Sequence, residues 1–230
     1  MARFTFLPRL QQSSLEGGVV IIGLGRFGAA MGEELVRSGV EVLGIDNDPG
    51  VVQAMNGRLT SVVRADASNV EVLRQLGVQD SSNAVVAIGT DLASSILAAS
   101  ALIKLDGPEI WAKAATEQQG EIFAQMGIKH VFHPEKDMGV RAAHLLTQSL
   151  SDFFDLGNGF AMATTTLPPA MGGNTISQMR IRYDYGVTIV GVKQADESWA
   201  PITPDTVLRA GQTVLVAGPS KKLDQAFVRG

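Results

Sequence analysis

The sequence predicts an α/β fold, a doubly wound parallel sheet followed by a second, smaller α+β domain. Three observations lead there. Short apolar, β-branched runs alternate six times with helical segments between Val19 and Phe132. The first run passes directly into a glycine triplet, Gly23-Leu24-Gly25-Arg26-Phe27-Gly28. Beyond Asp155 the pattern changes to β-type runs that do not continue the alternation.

Taken in order, Val19-Val20-Ile21-Ile22 is the first buried parallel strand. The glycine turn opens a helix through Met31, Leu35 and Val36, which Gly39 ends. Glu41 to Ile45 is a second strand stopping at Asp46, and Pro49 begins a helix to about Met55. Ser61 to Arg64 is a third strand, and Val70 to Leu76 a helix closed by Gly77. Ala84 to Ile88 and Ile110 to Ala114 are strands four and five, separated by a helix over Leu92 to Leu105 that Gly107-Pro108 breaks. A helix over Glu117 to Met126 and a strand at His130 to Phe132 complete the set. A longer helix is expected over Asp137 to Leu150, with Met138, Ala142, Leu145 and Leu146 on one face. The polar, glycine-rich Asp155 to Gly159 follows, then strands at Phe160 to Leu167, Val187 to Val192 and Thr213 to Ala217, with a short helix at Thr175 to Ile181. The expected organisation is a flexible arm at 1–17, a nucleotide-binding domain at 18–137, a crossover helix at 138–155 and the second domain at 156–230.

Composition narrows the function. The 230 residues are 45% hydrophobic and 18% charged, with a formal net charge of -4. No long run of Lys and Arg appears, so nucleic acid is not an expected partner. Cysteine is absent, which removes disulfides, thiolate metal sites and cysteine nucleophiles and suits a reducing cytosol. Met1 to Gly18 lacks the apolar core of a signal peptide and reads as a lead-in or docking arm. No apolar run reaches the ~20 residues of a membrane helix, so any link to a membrane is expected through a partner.

The glycine triplet is informative because of its setting. It follows a strand, opens a helix, and a second strand ends on Asp46 about twenty residues later. Gly23 permits the tight turn, Gly25 lets backbone approach a pyrophosphate, and Gly28 lets helix and strand pack closely. The free N–H groups and dipole of the helix N-terminus then suit phosphate. This is a Rossmann-like nucleotide site. Asp46 stands where a carboxylate accepts bonds from ribose hydroxyls and repels a 2′-phosphate. It could instead cap the next helix, a role that fits Asp48 better. Asp66, ending the third strand, reads either as an adenine-side residue or as a cap. Arg26 reads either as a contact to a terminal phosphate or a neighbouring subunit, or as a solvated side chain.

Further segments carry a family resemblance: Ala65-Asp66-Ala67, Ala87-Ile88-Gly89, Ala112-Lys113-Ala114 and His133-Pro134-Glu135-Lys136-Asp137-Met138-Gly139, in that order. Together with the glycine loop they resemble the RCK domain, which regulates potassium conductance. The chain is similar to the soluble subunits of Ktr- and Trk-type bacterial potassium-uptake systems, with the short single unit favouring the Ktr type. Asp205 to Gly211 and the strand after it resemble the family's C-terminal subdomain. The resemblance implies a cytoplasmic subunit, peripheral at the membrane through a potassium pore partner, self-associating as dimers into an octameric ring. It implies ATP or ADP as ligand, ATP favouring conduction, and Mg²⁺ or Ca²⁺ as a further cofactor; the residues leave NAD(H) open as a ligand in place of ATP. It places Gly23, Gly25, Arg26, Phe27, Gly28, Asp46, Asn47, Asp66, Ala67, Gly89, Thr90, Lys113 and Glu135 at the nucleotide, with Glu135 also holding the cation. Some relatives bind cyclic di-AMP near the segment Arg182-Tyr183-Asp184-Tyr185-Gly186; here Asp184 would repel a phosphate, so no ligand is assigned to it.

The rival reading is an NAD(H)-dependent oxidoreductase or a redox-sensing regulator. The three histidines, His130, His133 and His144, lack the Arg or Lys–Asp–Asn setting expected for hydride transfer, and no DNA-binding module is evident. No catalytic residue is expected.

Overall fold

The computed structural model describes residues 17–89, 91–147 and 150–227. They form two compact units, an N-terminal one up to Pro134 and a C-terminal one from Glu135. The arm expected at 1–17 lies, apart from Gly17, outside the described residues.

The N-terminal unit is a six-stranded parallel sheet. Its strands are β1 (Val19–Ile22), β2 (Val42–Asp46), β3 (Ser61–Arg64), β4 (Asn83–Val86), β5 (Glu109–Lys113) and β6 (His130–Phe132). They lie in the order β3-β2-β1-β4-β5-β6, so the winding direction reverses between β1 and β4. Such a reversal opens a crevice at the C-terminal strand ends, where ligands of this fold class bind. The helices are α1 (Arg26–Arg37), α2 (Pro49–Met55), α3 (Val70–Gln75), α4 (Leu92–Leu105) and α5 (Glu117–Gln125).

Because both sheet faces are covered, the central strands are apolar on both sides; β1 and residues 42–45 of β2 are wholly buried. On one face Ile21, Val42, Val85 and Met55 pack with Met31, Leu35 and Val36 of α1. On the other, Ile22, Leu43, Ile45 and Val86 pack with Leu73, Ala98, Leu102 and Phe123. The helix starts are fixed locally. Asp48, Asn69, Asp91 and Thr116 accept backbone N–H bonds at the beginnings of α2, α3, α4 and α5. The cap of α2 is thus Asp48, as its position suggested.

In the C-terminal unit, α6 (Pro134–Thr147) is followed by the strands β7 (Leu150–Asp155), β8 (Phe160–Thr166), β9 (Thr188–Lys193), β10 (Trp199–Pro201) and β11 (Thr213–Pro219). They form an antiparallel sheet ordered β10-β9-β11-β8-β7. Three short helices accompany it: α7 (Ile176–Met179), α8 (Ile181–Tyr185) and α9 (Ser220–Phe227). Leu150, Phe153, Ile181, Val187, Val216, Leu223 and Phe227 fill its core.

Two expectations require correction. The helix expected to reach Leu150, within a crossover segment drawn over 138–155, ends at Thr147, and Leu150–Asp155 is an edge strand paired with β8. Phe153 is 2% exposed and drives this pairing by burying its ring under the sheet. The helix expected over 175–181 is broken into α7 and α8 by Arg180, whose φ of 48° is left-handed. A capping box between Thr175 and Gln178 starts α7.

Phe123 is fully buried between α5 and the sheet. Phe123→Ala is expected to destabilise the N-terminal unit by about 3–5 kcal/mol. Urea denaturation should show the loss as a lower midpoint with unchanged slope.

Candidate nucleotide site

The site is built where five parallel strands end on one edge of the sheet. Gly23 follows β1, Asp46 closes β2, Asp66 and Ala67 lie just past β3, Gly89 just past β4, and Lys113 closes β5. Ten expected residues besides Gly28, namely Gly23, Gly25, Arg26, Phe27, Asp46, Asn47, Asp66, Ala67, Gly89 and Lys113, thus share one edge by topology. Gly28 lies one turn into α1 and is buried. Thr90 lies outside the described residues. Glu135 belongs to the C-terminal unit, in the first turn of α6.

Each glycine of the loop has its own reason. Gly23 adopts φ +93°, and a Cβ there would come within 2.9 Å of Ile88 Cγ1. A Cβ on Gly28 would overlap the Gly23 carbonyl oxygen and meet the Ala87 methyl at 3.2 Å. Gly25 differs: a Cβ there would meet no protein atom within 4 Å. Protein packing does not ask for glycine at 25, but the approach of a phosphate to backbone would.

The first turn of α1 points the same way. Gly25 is its N-cap and supplies no side-chain bond, and the turn holds no acidic residue. Its leading N–H groups therefore have no intrahelical acceptor and carry the positive end of the helix dipole. Among the described residues α2, α3, α4 and α5 are capped by side chains, whereas the first turn of α1 is open, an arrangement that suits an external anion.

Asp46 braces the loop. Its Oδ2 accepts the Leu24 N–H at 2.7 Å and its Oδ1 accepts the Asp48 N–H at 2.9 Å. The carboxylate is half-buried at the strand end, with lone pairs remaining for hydroxyl donors. The Asn47 carbonyl accepts the Arg64 Nε–H at 3.1 Å. Asp66 is exposed and folds onto Ser68, accepting its N–H at 2.9 Å and its hydroxyl at 2.7 Å. The two Ser68 donors hold the Asp66 carboxyl below its ordinary pKa, against a smaller opposing effect of burial. Arg26 is exposed on the first turn of α1. Lys113 is only 8% exposed, with its Nζ 5.7 Å from the centre of the Phe27 ring.

Phe27 leads to residues not expected from sequence. Its ring lies 5.9 Å from Phe132, which stacks on Trp111 at 5.3 Å, which in turn stacks on His130 at 3.8 Å. His130 Nε2 meets Glu109 Oε1 at 2.9 Å. Glu109 and His130 begin their strands, so this histidine sits at the sheet edge opposite the glycine loop. It cannot face a nicotinamide at the strand C-termini. His133 lies against Gly120 of α5. The β5–β6 pairing brings Trp111, His130 and Phe132 together, and no motif announces them.

With this geometry in view, comparison with known proteins places the chain. The TrkA-N domain family matches residues 19–134 and the TrkA-C domain family matches residues 164–228. The chain belongs to the TrkA-N/TrkA-C, or RCK, family. It is similar to the Ktr system potassium uptake protein A of Vibrio alginolyticus, 32% identical over 204 residues, covering 88% of this chain and 93% of that relative. It is also similar to the Ktr system potassium uptake protein C of Bacillus subtilis strain 168, 30% identical over 199 residues, covering 86% and 90% respectively. Among solved structures it resembles the GsuK RCK domain, with 16% identity, a TM-score of 0.66, and coverage of 94% of this chain and 48% of that one. The GsuK channel bound to NAD gives 17% identity, a TM-score of 0.65, and coverage of 92% and 39%. The chain thus spans less than half of each of these structures, which share its fold. The TrkA-N match ends where the N-terminal unit of this RCK protein ends, at Pro134; α6 beyond that residue and β7 fall between the two matched regions.

Asp66 provides a local test. Ser68→Ala removes the hydroxyl donor and is expected to raise the Asp66 carboxyl towards its ordinary value. A carboxyl depressed in the folded state stabilises above its unfolded pKa and loses that contribution as pH falls through the folded pKa. The mutant should therefore lose slightly less stability on acidification. Carbon-detected NMR titration of Asp66 follows the shift directly.

Proposed function

We propose that this RCK protein is a nucleotide-sensing gating subunit of a membrane potassium channel or transporter. ATP and ADP bind at the glycine loop, ATP favouring the conducting state and ADP the inactive one. The protein works at the cytoplasmic face of the membrane, peripheral through its pore partner, and self-associates as dimers that close into an eight-membered ring. The observation that carries the ligand reading is the uncapped first turn of α1 behind an open Gly25, beside the Asp46 carboxylate. The names of the Ktr relatives support the assignment to potassium uptake. No helix among the described residues is long and apolar enough to cross a membrane, which is consistent with a separate pore chain.

The roles follow from charge and position. The Gly23 and Gly25 backbone and the α1 N-terminus hold the phosphates common to both nucleotides. Asp46 binds ribose hydroxyls, and Asn47, Asp66 and Ala67 line the adenine side. Gly89 lies in the loop after β4, Thr90 remains a ligand residue by family resemblance alone, and Lys113 supplies a cation from the end of β5. Arg26, exposed and permanently charged, answers the third phosphate. Glu135, at the interface between paired chains, contributes a carboxylate to a Mg²⁺ or Ca²⁺ that screens that phosphate. ATP carries about one more negative charge than ADP, enough to support the ~1–3 kcal/mol typical of allosteric coupling. The readout begins at Phe27. Its partner Phe132 is the last residue of β6, two residues before the N-terminal unit ends. A phosphate at the first turn of α1 is therefore one ring contact away from the end of β6.

Calorimetry with ATP and ADP tests the assignment. Asp46→Ala should weaken both by about 2–4 kcal/mol, since it removes charge-assisted bonds to groups they share. Arg26→Ala and Glu135→Gln should instead shrink the ATP/ADP preference and leave ADP affinity near wild type. Unchanged affinity in Asp46→Ala removes that residue from the site. An intact ATP preference in the other two moves the sensor elsewhere.

A further inference from the structure

Lys113 is a nearly buried ammonium at the mouth of the crevice, and two of its neighbours bear on its place. One is the Phe27 ring, 5.7 Å from Nζ and within cation–π range. The other is Gly89. A methyl group built there would stand 2.9 Å from Lys113 Nζ, 3.6 Å from Cε and 3.9 Å from Cδ, which are its three nearest atoms. Gly89 does not adopt the left-handed backbone that would itself favour glycine, unlike Gly23. It is also exposed, so core packing makes no demand on it. What a side chain at 89 would displace is the lysine's charged end.

Resting on the nucleotide reading above, we propose that Gly89 is a positioning residue: with Phe27 it seats the Lys113 ammonium in the crevice as the cation for a nucleotide phosphate. The three residues come from the first turn of α1, the loop after β4 and the end of β5; α1 follows β1, and β1, β4 and β5 are neighbouring strands across the switch point. Without a side chain at 89, the lysine reaches back from β5 over the end of β4 towards the first turn of α1. A methyl at 89 leaves the fold intact, because the displaced atoms are the far end of a flexible chain, but it swings the charge outward. The substrate class this seat recognises is phosphate rather than base. Its loss should be felt by ADP and not by adenosine.

The test combines ligand-free chemistry with binding. In the unliganded wild type, limited acetylation with acetic anhydride, read by mass spectrometry, should modify Lys113 more slowly than the exposed Lys104 and Lys129. In Gly89→Ala, Lys113 should react several-fold faster, while Lys104 and Lys129 keep their rates and so report an intact fold. In calorimetry, Lys113→Met and Gly89→Ala should each weaken ADP by about tenfold, the scale of one charge-assisted bond, and leave adenosine unchanged. The double variant should bind ADP no more weakly than Lys113→Met alone, because Gly89 acts only through the lysine. Unchanged Lys113 reactivity in Gly89→Ala, or additive losses in the double variant, overturns the proposal. A wild type that binds neither ADP nor ATP overturns the nucleotide reading and with it the phosphate role. The acetylation result then still decides whether Gly89 places the ammonium.

Discussion

The close approach of α1 to the loop that precedes it is the constraint on which the rest of the N-terminal unit depends. A Cβ on Gly28 would overlap the Gly23 carbonyl oxygen, and Gly23 itself turns through a left-handed conformation against Ile88. The pinch brings the helix axis down onto β1 and β4 and aims its first turn across the switch point of the sheet. Asp46 closes the arrangement from the neighbouring strand by accepting the Leu24 N–H. The loop is thus fixed by sterics on one side and by a charged acceptor on the other before any ligand arrives. Preorganisation of this kind lowers the ordering cost of binding.

The electrostatics around that pinch are uneven in a useful way. The dipole of α1 is left without an internal counter-charge, whereas its neighbours satisfy their first turns with Asp48, Asn69, Asp91 and Thr116. Lys113 adds a second positive element held in a largely dry setting, where charge interactions are stronger than in bulk water. Phe27 belongs to both systems. It is part of the first turn of α1, lies under the lysine, and touches Phe132 where β6 ends. One ring therefore connects these two positive elements to the strand from which the chain leaves the unit.

Much of this was legible in the sequence, for identifiable reasons. The alternation of apolar runs and helical periods is a local signal, and every parallel strand lies within a few residues of its expected place. The glycine loop and Asp46 were legible because turn, strand end and spacing follow from backbone chemistry. The edge strand β7 was not. No glycine or proline separates Leu145-Leu146 from Leu150, so the helical pattern runs on into Phe153, whose burial beneath the antiparallel sheet decides the outcome. Strand β10 is three residues long and ends on a proline, which is tolerated because it lies at the sheet edge. The aromatic column and the seat of Lys113 were illegible for a different reason. Phe27, Gly89, Trp111, Lys113 and Phe132 meet only through strand order, and strand order is a property of the whole sheet.

The central claim is that the open first turn of α1 holds an adenine nucleotide whose charge sets the state of a potassium pathway. The most direct measurement is potassium flux in vesicles carrying the cognate pore subunit and this chain, followed while the ATP to ADP ratio is varied at constant total nucleotide and constant free divalent cation. The account predicts flux that rises with the ratio and loses its dependence when Asp46 is replaced by alanine. Flux that ignores the ratio, or that follows NADH and NAD⁺ instead, would contradict it.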